Sequence, residues 1–145
     1  MKKFVSPLDR VAAFRRSQAR MEEAKLEALY AQLRALEARE VVLLEERAAS
    51  ETELLSAPAT TGEDWSALDT FRRFMDAERV RLERQRAECR QRISTQMPVV
   101  TAKRRDLRLL DRLKEQRLKD WKAELGSEVD AQADEAYLAK WNRGG

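Results

Sequence analysis

Turn-forming residues are almost missing from this chain: its 145 residues include only four Gly and three Pro. Gly supplies positive φ and Pro fixes φ, and tight turns and sheet corners draw on both. A chain that seldom uses them seldom reverses direction. The remaining sequence is dominated by Leu, Ala, Arg, Glu and Lys, with 38% charged residues and 6% aromatic. Its mean hydropathy of −0.69 leaves too little apolar material for a large core. A few long helices touching along narrow apolar seams satisfy all of these constraints. The expected fold is all-α, a long antiparallel two-helix coiled-coil hairpin.

The same inventory narrows the chemistry. There is no His, which removes His-dependent triads and most zinc sites. Cys89 is the sole cysteine, so no internal disulfide forms. Neither glycine-rich nucleotide-binding pattern occurs. No enzyme, catalytic residue, metal site or cofactor is expected. Apolar runs such as Val41–Leu44 fall far short of the roughly 20 residues that span a bilayer. The basic start at Met1–Lys3 is followed by Pro7, Asp9 and Arg10, a poor secretory signal. The expected location is the cytoplasm.

The net charge is +3 and the isoelectric point about 9.2. Acids interleave with the bases, as in Asp76 and Arg79, Glu78 and Arg81, Glu88 and Arg92, and Glu115 and Lys119. Spacings of three and four place such pairs on one helix face. They read as a solvated coiled-coil exterior, and they argue against a nucleic-acid partner.

Ser6-Pro7-Leu8-Asp9 is a helix start, with Ser6 as cap, Pro7 in the first turn and Asp9 at the positive end of the dipole. Helix 1 is expected over about 6–56, roughly 75 Å at about 1.5 Å per residue. Its clearest seam is Leu26, Leu29, Leu33 and Leu36, continued through Leu43 and Leu54 with Glu40 and Arg47 at seam positions. Residues 57–62 form a loop, and Thr61 or Asp64 caps helix 2, expected over about 63–141. The second seam runs Leu68, Phe71, Met75, Leu82, Cys89, Ile93, then Leu107, Leu110, Leu118, Trp121, Leu125 and Val129. The step from Ile93 to Leu107 and the eleven residues from Leu107 to Leu118 suggest stutters. Pro98 either kinks this helix or breaks it near Gln96–Val99. Residues 1–145 read as one coiled-coil domain. Folding about residue 60 sets Leu54 near Trp65 and Leu8 near Arg112. Beyond about Lys114 the stripe Leu118, Trp121, Leu125 and Val129 is expected to lie uncovered, inviting a partner or self-association.

Several features combine into a likeness. They are the Phe4-Val5-Ser6-Pro7-Leu8 start, the long helix, the short polar loop and a second helix marked by Trp65. Lys103-Arg104-Arg105-Asp106-Leu107, Leu113-Lys114-Glu115-Gln116-Arg117 and Asp134-Glu135-Ala136 complete it. In this order they resemble the FliJ family, the stalk-like general chaperones of the flagellar type III export apparatus. The resemblance covers nearly the whole chain, although its motifs are diffuse and Pro98 departs from the pattern. It implies a non-enzymatic stalk peripherally associated with an inner-membrane export apparatus. Its partners would be the hexameric export ATPase, the cytoplasmic domain of the export gate and export chaperones.

By the same resemblance, gate binding falls on Phe71, six positions after Trp65, with Met75, Glu78 and Leu82 continuing by helical spacing. Equally, Phe71 and Met75 read as seam residues pinning the loop end. ATPase-ring binding falls on Arg104, Arg105, Arg108, Arg112, Lys114, Arg117 and Trp121. Residues 103–119 hold eight bases against three acids, and Arg10, Arg15, Arg16 and Arg20 lie on the opposing helix. Such charge steers toward an acidic ring lumen. Other readings are the equivalent stalk of a virulence injectisome and a structural coiled coil that self-associates. A basic helical protein bound to nucleic acid is a further one.

Overall fold

A computed structural model describes residues 4, 6–59 and 61–144. Met1–Lys3 and Val5 of the basic start, Thr60 of the loop and Gly145 lie outside the described residues. Two α-helices account for nearly everything described: α1 is Leu8–Ser56, 49 residues, and α2 is Gly62–Gly144, 83 residues. They pack against each other as an antiparallel hairpin, as the composition requires.

Each helix end has a local cause. The Ser6 hydroxyl accepts a hydrogen bond from the Leu8 amide at 3.2 Å, and the Ser6 carbonyl accepts one from the Asp9 amide. That cap fixes where α1 begins. At its other end the Ser56 hydroxyl folds back onto the Thr52 carbonyl at 2.6 Å, just before Pro58. The α2 start resolves the choice between Thr61 and Asp64 by using both. The Thr61 amide donates to Asp64 Oδ2 at 2.9 Å, and the Asp64 amide donates to Thr61 Oγ1 at 3.2 Å. This is a reciprocal capping box with Asp in the acidic position. Pro98 does not break α2, which continues through it, although a proline has no N–H to donate to the Ser94 carbonyl.

The contacts divide the chain into two compact units, residues 21–100 and residues 1–20 with 101–145. In the 21–100 unit Leu43, Met75 and Leu82 form a buried cluster, with Leu36 and Phe71 packed against it. Leu68, Cys89, Ile93 and Val100 extend the buried line. Gln96 is half-buried between Ile93 and Val100, and Lys103 and Leu107 follow. The apparent gap from Ile93 to Leu107 is therefore filled at spacings of three and four, partly by polar side chains, and holds no stutter. From Leu107 the half-buried positions run Leu110, Lys114 and Leu118. That three-four-four rhythm is the eleven-residue step expected of a stutter.

The unit of residues 1–20 and 101–145 buries smaller side chains, Ala12, Ala19 and Ser6. Lys114 Nζ meets Asp9 Oδ1 at 2.7 Å, and Phe4 meets Trp121 with ring centroids 5.4 Å apart. Trp121 is thus covered from within the chain, and Leu118 and Leu125 are also half-buried, a correction to the expectation that this stripe lies uncovered. Past Leu125 every described residue of α2 is exposed, including Val129 as expected.

Candidate functional site

The loop end of the 21–100 unit is organised by charge as much as by apolar packing. Arg47 reaches Asp76 across the helix pair at 2.8 Å and Glu51 along its own helix at 3.4 Å. Arg72 completes the group by meeting Glu51 at 3.0 Å. Two bases and two acids thus form a chain of ion pairs, Asp76–Arg47–Glu51–Arg72, along one flank of the seam. The hydrogen bond from Arg72 is the main reason the Glu51 carboxyl sits below its ordinary pKa, with Arg47 adding to it. Arg47 is in turn held more firmly protonated, first by its hydrogen bond to Glu51 and then by the Asp76 charge. One step further along, Arg86 pairs with Glu40, both largely shielded from water. Glu40 and Arg47, charged residues at seam positions, are accommodated by partners on the opposite helix.

These contacts revise the expected surface pairs. Glu78 and Arg81 do meet, at 3.6 Å, but Asp76 turns to Arg47 and Arg79 turns to Glu83. The register also differs slightly from a fold about residue 60. Leu54 shares a cleft of about 360 Å³ with Ala67, Leu68 and Phe71, whereas Trp65 is exposed.

The four residues assigned to gate binding therefore separate. Met75 is 3% exposed and Leu82 4%, and both belong to the central cluster. They offer nothing to a partner unless the helices part. Phe71 is half-buried, with one side against that cluster and another lining the loop-end cleft. Glu78 is half-buried and engaged with Arg81. Meanwhile Phe74 and Trp65 stand exposed near the same end of α2. Phe74 departs from the seam spacing set by Leu68, Met75 and Leu82, the signal that identifies it as outward-facing, whereas Trp65 keeps that spacing, three residues before Leu68, and is exposed all the same.

The seven residues assigned to the ATPase ring also divide. Arg104, Arg105, Arg108, Arg112 and Arg117 are exposed on α2, and Arg10, Arg15, Arg16 and Arg20 are exposed on α1 within the same unit. Lys114 and Trp121 are half-buried and tie α2 to the start of the chain through Asp9 and Phe4. The hydrogen bond from Lys114 is the leading cause of the lowered Asp9 pKa. Lys114 and Trp121 thus position the start of α1 beside the exposed arginines. The ring contact between Phe4 and Trp121 escaped sequence reasoning because Phe4 precedes the helix and belongs to no periodic pattern.

Among the described residues no group of His, Cys, Asp and Glu is placed to hold a metal ion, and no helix is long and apolar enough to cross a membrane. No family profile, curated protein or solved structure matches this chain.

Proposed function

We propose that this chain is a non-enzymatic stalk and chaperone of the flagellar type III export apparatus, binding a hexameric export ATPase and the cytoplasmic part of an export gate. The observation that carries the reading is the helical hairpin whose chain start is tied to an arginine-rich stretch of α2. In that unit Arg104, Arg105, Arg108, Arg112 and Arg117 are exposed together with four arginines of α1. Such a surface favours an acidic lining by long-range attraction, which makes engagement sensitive to salt. The resemblance to the FliJ family supplies the identity of the acidic partner. The ATPase hydrolyses nucleotide in this reading, and the stalk couples and promotes assembly of the ring.

Gate binding is proposed at the loop end, where Phe71 presents its uncovered side and Glu78 lies one turn beyond Met75 and Phe74. The test pairs two variants of the full chain against a cognate ATPase and gate domain. Reversal of Arg104, Arg105 and Arg108 to Glu is expected to abolish stimulation of ATP hydrolysis while sparing gate binding. Phe71→Ala is expected to do the opposite with helicity retained. Loss of both activities in both variants, or of neither in either, sinks the two-ended assignment.

A further inference from the structure

The side of α2 opposite its half-buried line carries a second pattern. Starting at Arg105, steps of three and four lead through Leu109, Arg112, Gln116, Asp120 and Ala123. They continue through Ser127, Asp130 and Asp134 to Leu138 and Trp141. Such residues share one helix face, and all of them are exposed. Leu109 is 54% exposed and Trp141 69%, with Leu113, Tyr137 and Leu138 also open to water. Exposed apolar side chains thus cluster near the two ends of this stretch, with polar and charged residues between them, and such bare patches rimmed by charge have the character of an interface.

Its charges decide what fits. Residues 103–119 carry eight bases and three acids, whereas residues 123–139 carry five carboxylates and no Lys or Arg. The face is basic at one end and acidic at the other, so a second copy laid antiparallel completes it. Pairing each position with its mirror image about Ala123 sets Arg112 against Asp134 and Arg105 against Trp141. The first is an ion pair, and the second stacks a guanidinium on an indole. The same pairing brings Leu109 to Tyr137. Two-fold symmetry forms every one of these contacts twice. A parallel pair would instead set Arg112 against Arg112 and Asp134 against Asp134.

The middle of the face supports the same occupant. Ala123 and Ser127 are small, and Gly126 lies beside them in mid-helix. An added Cβ at Gly126 meets nothing within 4 Å, so nothing in the described chain requires glycine there, although glycine lowers helix stability. Small residues at a crossing point let two helix backbones approach closely.

We infer that residues 105–141 of α2 form an antiparallel, two-fold symmetric interface with a second copy of this chain, centred on Ala123. The proposal does not rest on the stalk reading, and its test involves neither ATPase nor gate; because both readings use Arg105 and Arg112, the dimer must part before a ring engages them. That test uses the full chain with Cys89→Ser, so that any thiol is an introduced one. Sedimentation equilibrium is expected to show a reversible dimer. Arg112→Asp and Asp134→Arg are each expected to weaken it about tenfold or more, since like charges then face each other. The double variant, which exchanges the charges, is expected to recover the original affinity. Under mild oxidation Ala123→Cys is expected to form a disulfide-linked dimer and Leu109→Cys to remain unlinked. A chain monomeric at all concentrations, including one whose face binds only a different acidic helix, overturns the proposal. So does a double variant no tighter than its parents, or Leu109→Cys linking as readily as Ala123→Cys.

Discussion

The two units hold their helices together by opposite means. Residues 21–100 bury large side chains, Leu43, Leu68, Met75, Leu82 and Ile93 among them, and flank them with ion pairs between the helices. Residues 1–20 with 101–145 bury Ala12 and Ala19 and rely on a ring contact and an ion pair at the chain's start. Large side chains remove more apolar area from water, so the first arrangement contributes more per residue. Small ones bring backbones close and leave the outer faces to charge. One hairpin thus combines a segment built for cohesion with a segment built for display.

The sharpest way to break this contrast is to reverse residue size in each unit. Leu82→Ala removes the side chain at the centre of the larger cluster and is expected to lower the stability of the full chain by about 3 kcal/mol in urea unfolding. Ala12→Leu does the reverse. At 1% exposure Ala12 has no room for three more carbons, and overpacking is expected to cost about 2 kcal/mol. If Ala12→Leu stabilises the chain instead, the close-packed reading of that unit fails. Phe4→Ala is a milder probe, expected to cost about 1 kcal/mol. Hydrogen exchange should then accelerate around residues 117–125 and stay unchanged around Met75.

The smallest effect concerns acid. Glu51 has its folded-state pKa lowered by Arg72 and Arg47 from an ordinary value near 4.5. Its contribution is therefore complete above that value and is lost as pH falls through the lower folded-state pKa. Asp9 behaves alike through Lys114. Unfolding followed from pH 6 down to about pH 3 is expected to show a shallower loss of stability in Glu51→Gln than in the parent chain. Equal slopes would show that the ion pairs of Glu51 with Arg72 and Arg47 do not form in solution.

Much of the architecture was readable beforehand, and the unread part has physical reasons. The Ser6 cap, the single loop and the seam through Leu36 and Leu43 follow from apolar spacing and backbone chemistry. Gln96 and Lys103 escaped notice as seam members because half-buried polar side chains leave no trace in an apolar pattern. Met75 and Leu82 illustrate the converse. Their spacing already marked them as inward, yet resemblance moved them to a binding surface, and their burial favours the spacing. Of the ring-binding set, the charge surplus was evident from composition. Which bases are tied up was not, because the Asp9–Lys114 contact depends on how two distant segments are aligned.

Cys89 is 1% exposed, and its thiol donates to the Leu29 carbonyl at 3.3 Å. The protein therefore carries a built-in stopwatch for its own breathing. The rate at which a thiol reagent labels that single sulfur times how often the paired helices spread apart, with no dye or tag introduced. A partner that clamps the hairpin would slow the clock, and one that pries it open would speed it up.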